Sequence, residues 1–317
     1  MRPDGIDDAM QHGTPSDSQP VARPLAGETI GILAGWGRYP VAVAEAVRRH
    51  GGRTAILAIR GHADATLEQV ADAHGSVGVA EIGTAIEFFR RHGARRATMA
   101  GKIHKRQFFG RRAWLHNLPD WVGLATFWPH FVARRRDNRD DSLLGAIAHA
   151  FDARGVTICP ATDFAPELLA TEGVLAGPPL SPRREADVAF GWRLAKALGR
   201  YDIGQTVVVK NRAPLALEAI EGTDECIRRA GTLCPSGGMV VVKVAKPQQD
   251  VRFDMPTIGV GTLDSLVAAG AAVLAIEAGR TILVDADAVF ARAAAEGITL
   301  VSRCDDAAAE TIRDAAA

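Results

Sequence analysis

Histidine is missing from the second half of this 317-residue chain: all nine histidines lie at or before His149. Chemistry placed beyond that point has no His general base, no Ser–His pair and no His metal site of its own. It is left with carboxylates, lysines, hydroxyls and a hard cation such as Mg²⁺. Cysteine is equally thin. Cys159, Cys226, Cys234 and Cys304 form no CxxC pair and no zinc spacing. That excludes a disulfide scaffold and a zinc module, and fits reduced thiols in a cytoplasmic setting. Net charge is absent as well, with 37 basic against 37 acidic residues, so the chain carries no global footprint for nucleic acid. No apolar run reaches the ~18–20 residues that a membrane span needs. Aromatics make up only 6% of the chain, which predicts an aliphatic core.

What is present falls into an expected tail and two expected domains. Residues 1–27 are rich in Asp, Gly, Pro, Ser and Gln without an apolar stretch, and read as a disordered tail rather than a signal peptide. Residues 28–165 read as a Rossmann-like nucleotide- or phosphate-binding domain. The run TIGILA (29–34) predicts a strand, 35–40 a turn, 41–50 a helix closed by Gly51-Gly52, and TAILAI (54–59) a second strand. Strand–turn–helix–strand is the unit of a parallel sheet. Further helices are expected over 82–92 and 141–153, and strands over 96–100 and 156–159. Residues 166–317 have a different texture, which predicts a mixed α+β domain. Strands are expected over 204–210, 239–244, 272–278 and 281–285, and helices over 216–229, 263–269 and 287–296.

Several segments carry candidate chemistry. Gly35 and Gly37 follow a strand and open a helix, which suits a phosphate, a plain tight turn or a dinucleotide. The dinucleotide reading lacks an acid after the second strand, where Arg60 stands instead. Lys102 ends a predicted strand at the edge where open α/β sheets bind ligands. Glu218, Glu221, Asp224 and Glu225 crowd one stretch, either as a solvated face or as a cation site. Within it, Gly222-Thr223 signals a break or a helix start, with Thr223 as a cap. Lys243 and Lys246 lead into Arg252-Phe253-Asp254-Met255-Pro256. Read as extended chain, Arg252 and Asp254 point one way, either as a structural ion pair or as a metal-binding or water-positioning carboxylate. Two basic clusters, one from Lys102 to Arg112 and one from Arg134 to Arg139, read as solvated loops or as an anion-attracting rim.

The motifs LAGWGRYP, MAGK, DDSLL, DIGQTVVVKN, AIEGTDE, KVAKPQQDVRFDMPTIG and IEAGRTILVD occur in that order from Leu33 to Asp285. Together they resemble the UDP-2,3-diacylglucosamine pyrophosphatases of lipid A synthesis, of the two-domain LpxI type, taken as metal-dependent, and not the calcineurin-like phosphoesterase type. The resemblance implies a lipid-linked UDP-sugar bound between a Rossmann-like domain and a second domain of less common fold. It implies Mg²⁺-requiring hydrolysis, by water attack on the sugar-side phosphorus, to lipid X and UMP. It assigns catalysis to Asp254 and Asp224, and metal binding to Asp254 and Glu221. Gly35, Gly37, Lys102, Lys210, Thr223, Lys243 and Arg252 are expected to bind substrate. The expected location is cytoplasmic, with room for peripheral contact with the inner membrane. An NAD-dependent oxidoreductase and a non-catalytic sugar-nucleotide or acyl-lipid binder are the alternatives.

Overall fold

The structure, a computed structural model, describes residues 26–102, 118–131 and 140–305. The expected tail therefore lies almost wholly outside the described residues, as do most positions of both basic clusters.

The first unit contains β1 (Thr29–Ala34), α1 (Tyr39–Arg49), β2 (Arg53–Ile59), α2 (Leu67–Val70), β3 (Ala73–Val77) and α3 (Ile82–Arg91). It continues through β4 (Arg96–Ala100), α4 (Trp121–Phe131), α5 (Asp140–Asp152) and β5 (Thr157–Ile158). Its strands are parallel, in the order β3-β2-β1-β4-β5. Apolar side chains cover both faces: Ile32, Ala34 and Ile56 pack against Val41, Ala44 and Leu67, while Leu57 and Ala97 pack against Ile86, Phe89 and Phe151. Burial on both sides explains why TIGILA and TAILAI are continuous apolar runs rather than alternating ones. The chain steps outward from β1 to β3, then returns to place β4 on the other side of β1. That reversal leaves a crevice at the carboxyl ends of β1 and β4, the position where open α/β sheets hold ligands.

The second unit contains β6 (Gly173–Ala176), α6 (Pro182–Arg200), β7 (Thr206–Lys210), β8 (Ala213–Leu217), α7 (Thr223–Leu233) and β9 (Met239–Lys243). It continues with β10 (Thr257–Ile258), α8 (Val260–Ala269), β11 (Ala271–Glu277), β12 (Ile282–Leu283), α9 (Ala286–Ala295) and β13 (Thr299–Arg303). Its main sheet has the order β6-β13-β11-β9-β7-β8. The strands β13, β11 and β9 are parallel, and β6, β7 and β8 pair antiparallel with their neighbours. The chain is thus α/β, with a parallel first sheet and a mixed second one, as expected. Helix α6 lays Val188, Trp192 and Ala195 over Val207, Val209, Val240 and Val242. The other face meets Ile227, Leu263, Leu266 and Val289.

One expected helix is corrected. Ala216 and Leu217 end β8, and the helix begins only at Thr223, behind its cap Gly222. The cause is a two-residue hairpin between β7 and β8. Asn211 and Arg212 both adopt left-handed backbone, φ 55° and 58°, the geometry that matches the twist of paired strands. Asp187 of α6 accepts both of their amides, at 3.0 and 2.6 Å.

Glu277 is a buried carboxylate at the end of β11. It accepts from Lys196 Nζ at 2.8 Å and from the Ala245 amide at 2.8 Å. Removing one partner of a buried pair strands the other charge. Glu277→Ala is therefore expected to lower unfolding free energy by about 3 kcal/mol, read by urea denaturation.

The segment leading into the second unit is tied to it, the Ala170 amide donating to Thr281 O at 2.8 Å and the Gly279 amide to Ala170 O at 2.8 Å. The units themselves touch through specific contacts. Ala42 of α1 packs with Ile282 and Val284, joined by Tyr39, Leu168 and Met255. Arg38 reaches Asp285 at 3.3 Å.

Candidate functional site

The glycine turn after β1 is stitched to the exit of β4. Gly35 N donates to Ala100 O at 2.8 Å, Trp36 N to Lys102 O at 2.8 Å, and Lys102 N to Trp36 O at 2.9 Å. A Cβ at Gly35 would lie 2.8 Å from Lys102 O. Glycine at 35 therefore serves the approach of the Gly101-Lys102 backbone, and its α-carbon is not left open to a phosphate. Gly37 has φ 104° with open space around its α-carbon, so its requirement is conformational. The pair of turns fixes Lys102 at the crevice between β1 and β4. Gly35→Ala forces this backbone apart and is expected to cost about 1–3 kcal/mol, measured as a lowered thermal midpoint.

From the second unit, Lys243 stands at the carboxyl end of β9, opposite Thr206. It is only 6% exposed, and its ammonium donates to Thr257 O at 3.2 Å. Burial pushes this amine below the usual lysine range, and Lys102 adds to that push. Glu218, Asp224 and Asp254 pull the other way. The two lysines and three carboxylates therefore share one electrostatic neighbourhood, with Lys102 supplied by the first unit and the rest by the second. Both sheets present the carboxyl ends of their parallel strands to it.

Each carboxylate is held differently. Glu218 is buried; it accepts from Thr223 Oγ1 at 3.0 Å and from the Gln205 amide at 3.4 Å. Thr223 also lies 3.3 Å from Thr206 Oγ1. Thr223 is thus the first residue of α7 and a link to Glu218, rather than the expected cap. Asp224 sits in the first turn of α7, where helix N–H groups and the dipole favour negative charge, and it accepts from Ser265 Oγ at 3.0 Å. Asp254 is exposed between two anchors. Phe253 packs into the first unit's core alongside Phe127 and Val122, and Met255 packs into the contact between the units. Anchoring both neighbours holds the carboxylate in position without burying it.

Three expected site residues fall elsewhere. Arg252 does not pair with Asp254. Residues 250–254 form a turn, with the Phe253 and Asp254 amides bonded to Asp250 O, so the extended alternation is lost. Arg252 grips Asp250, with contacts from 2.6 to 3.1 Å, and lies 4.9 Å over the Phe253 ring. That pairing holds Asp250 below the usual carboxylate range, against its partial burial. Lys210 lies at the opposite end of β7 from Thr206, about 13 Å away along the strand. Its ammonium is committed to Ser236 Oγ at 2.9 Å and Gly237 O at 2.5 Å. Glu221 does not fit as a metal ligand. One oxygen accepts from Arg229 at 2.6 Å and the other from the Ala219 amide at 3.1 Å. Sequence reasoning left Glu218 open between a solvated face and a cation site; the Thr206–Thr223–Glu218 contact, which only the folded hairpin creates, draws it inward instead.

Comparison with known proteins supplies the family. A model described as the LpxI N-terminal domain matches residues 29–168, and one described as the LpxI C-terminal domain matches residues 171–301. The chain is 34% identical over 271 residues to a Caulobacter vibrioides protein named UDP-2,3-diacylglucosamine pyrophosphatase LpxI, covering 83% of this chain and 93% of that protein. These matches correct the expected function. The matched family is distinct from the metal-dependent LpxH enzymes. The relative's name carries pyrophosphatase action but no metal dependence and no lipid X or UMP products. The same matches displace the oxidoreductase alternative. Across both of its units, the chain belongs to the LpxI family.

Proposed function

We propose that this protein is a hydrolase that opens the diphosphate of UDP-2,3-diacylglucosamine. The observation that supports the reading best is Lys243, buried at the carboxyl end of β9 and within electrostatic reach of Lys102 from the first unit and of Asp224 and Asp254. Two preorganised cations suit a diphosphate, and they stabilise the charge that builds as a phosphoryl bond breaks. Asp254, exposed and fixed by its neighbours, is the carboxylate that orients or deprotonates water. Asp224 and the amino end of α7 complete the polar rim. Gly35 and Gly37 act by holding Lys102 in place.

Mg²⁺ is a separate part of the proposal. Among the described residues, no three His, Cys, Asp or Glu side chains come together to hold a cation. Mg²⁺ is commonly held by one or two carboxylates together with substrate phosphates, and Asp254 and Asp224 suit that arrangement. When bound, it would neutralise diphosphate oxygens. EDTA is expected to suppress turnover, and added Mg²⁺ to restore it; full turnover after exhaustive chelation would remove the ion from the account.

The hydrolytic reading is tested by ³¹P NMR of UDP-2,3-diacylglucosamine incubated with the protein. Loss of diphosphate resonances in favour of phosphomonoesters is expected. Saturable binding with the diphosphate intact would make the protein a non-catalytic binder.

A further inference from the structure

Glu218 has no task in the hydrolytic reading, yet the fold is built around it. Its amide extends the β8 ladder, donating to Thr206 O at 2.9 Å. Leu217 pairs with Val207, which sets Glu218 opposite Thr206, and Thr206 pairs with Lys243. Directly opposed residues of antiparallel strands share a face, so Glu218, Thr206 and Lys243 form one cross-strand row. Two residues along each strand, Ala216, Val208 and Val241 form the next row, inside the core that Ile227 and Ala230 of α7 cover. Gly204 makes room for this arrangement, since a Cβ there would collide with Glu218 O.

Both charges on the row are sparsely partnered. Lys243 is 6% exposed and Glu218 7%. Among the described residues the Lys243 ammonium donates to Thr257 O alone. Glu218 accepts from Thr223 Oγ1 and, at 3.4 Å, from the Gln205 amide, neither of them charged. A buried charge held by so few partners is costly unless an opposite charge lies near. Adjacent strands lie about 4.8 Å apart, so the two backbones are roughly 10 Å apart across Thr206, and both side chains stand on the face above it. Burial lowers the Lys243 amine, and Glu218 is the largest of the groups that pull it back. The other charges that face it are Asp224 from α7, Asp254 from the 250–254 turn and Lys102 from the first unit. All three are exposed, which leaves Glu218 as the buried member of the set.

We propose that Glu218 is a positioning residue of the hydrolytic centre, the buried counter-charge that keeps Lys243 an ammonium at the carboxyl end of β9. The role rests on the reading in which Lys243 stabilises the diphosphate. It leaves the exposed Asp224 and Asp254 to face substrate and water.

Glu218→Gln removes the charge and keeps an acceptor for Thr223. In this variant the alkaline fall of kcat is expected to begin about one pH unit lower than in wild type, while turnover on the plateau below it is largely kept. An equal loss at every pH would mark a structural role and overturn the proposal. A second measurement needs no turnover: urea unfolding of Glu218→Gln, Lys243→Met and the double variant. The double variant is expected to be less destabilised than Glu218→Gln alone, because no buried charge is then stranded. A double variant that folds where Glu218→Gln does not gives the same answer. Strictly additive losses would overturn the pairing. Wild-type protein that turns over nothing would overturn the hydrolytic reading and the role with it; the unfolding cycle uses no substrate and so separates that failure from a failure of the pairing.

Discussion

Asp254→Asn lowers kcat about 10³-fold and leaves thermal stability within error of wild type. The stability half follows from exposure: the Asp254 side chain fills no core, and Phe253 and Met255 anchor the loop without it. The kcat half follows from the proposed role, since an amide can neither accept a proton from water nor neutralise a cation. Diphosphate binding rests on Lys102 and Lys243, so KM should move much less than kcat. A KM-dominated defect would make Asp254 a binding residue.

Lys243→Met is the second large effect, with an expected kcat loss of about 10²-fold. Methionine matches the length of lysine and removes its charge, so packing beside Val242 and Val244 is largely kept. The pH dependence gives an independent reading. Burial depresses the Lys243 amine below 10.5, so it loses its proton at lower pH than a free lysine does. Turnover that depends on the ammonium should fall on the alkaline side, beginning below pH 10.5, and Lys243→Arg should shift that fall upward. Stability has the opposite sign. Between the depressed folded value and 10.5 the unfolded chain binds more protons, so wild-type stability rises with pH across that window. The methionine variant should lack this rise. A variant that keeps it would locate the titration elsewhere.

Much of this was legible in the sequence because the signals were local. The run TIGILA, the glycine turn and the lysine ending RATMAGK place β1, β4 and the crevice between them from apolar period and turn chemistry alone. Asp254 stood out because the second half lacks histidine and because its motif resembled a known family. The rest depended on distant contacts. β8 reads as helix since APLAL is built of good helix formers apart from its proline. It becomes a strand only because Asp187, on a helix the sequence did not advertise, locks Asn211 and Arg212 into a hairpin. The nineteen-residue α6 escaped notice because its mixture of charged and small residues conceals the buried stripe around Trp192. Placing Arg252 and Asp254 on one face fails because the tight turn at 250–254 cancels the two-residue alternation of an extended chain. Lys210 and Lys243 look alike at the ends of valine-rich strands. Only the antiparallel pairing of β7 with β9 shows that they lie at opposite edges of the sheet.

The central claim is that Asp254 and the paired lysines of the two units form a centre that hydrolyses a sugar-nucleotide diphosphate. The most direct test is single-turnover ³¹P NMR of UDP-2,3-diacylglucosamine with excess wild-type protein and with excess Asp254→Asn. The account predicts rapid loss of the diphosphate signal with wild type, and bound, intact diphosphate with the variant. Equal rates for the two proteins would contradict it.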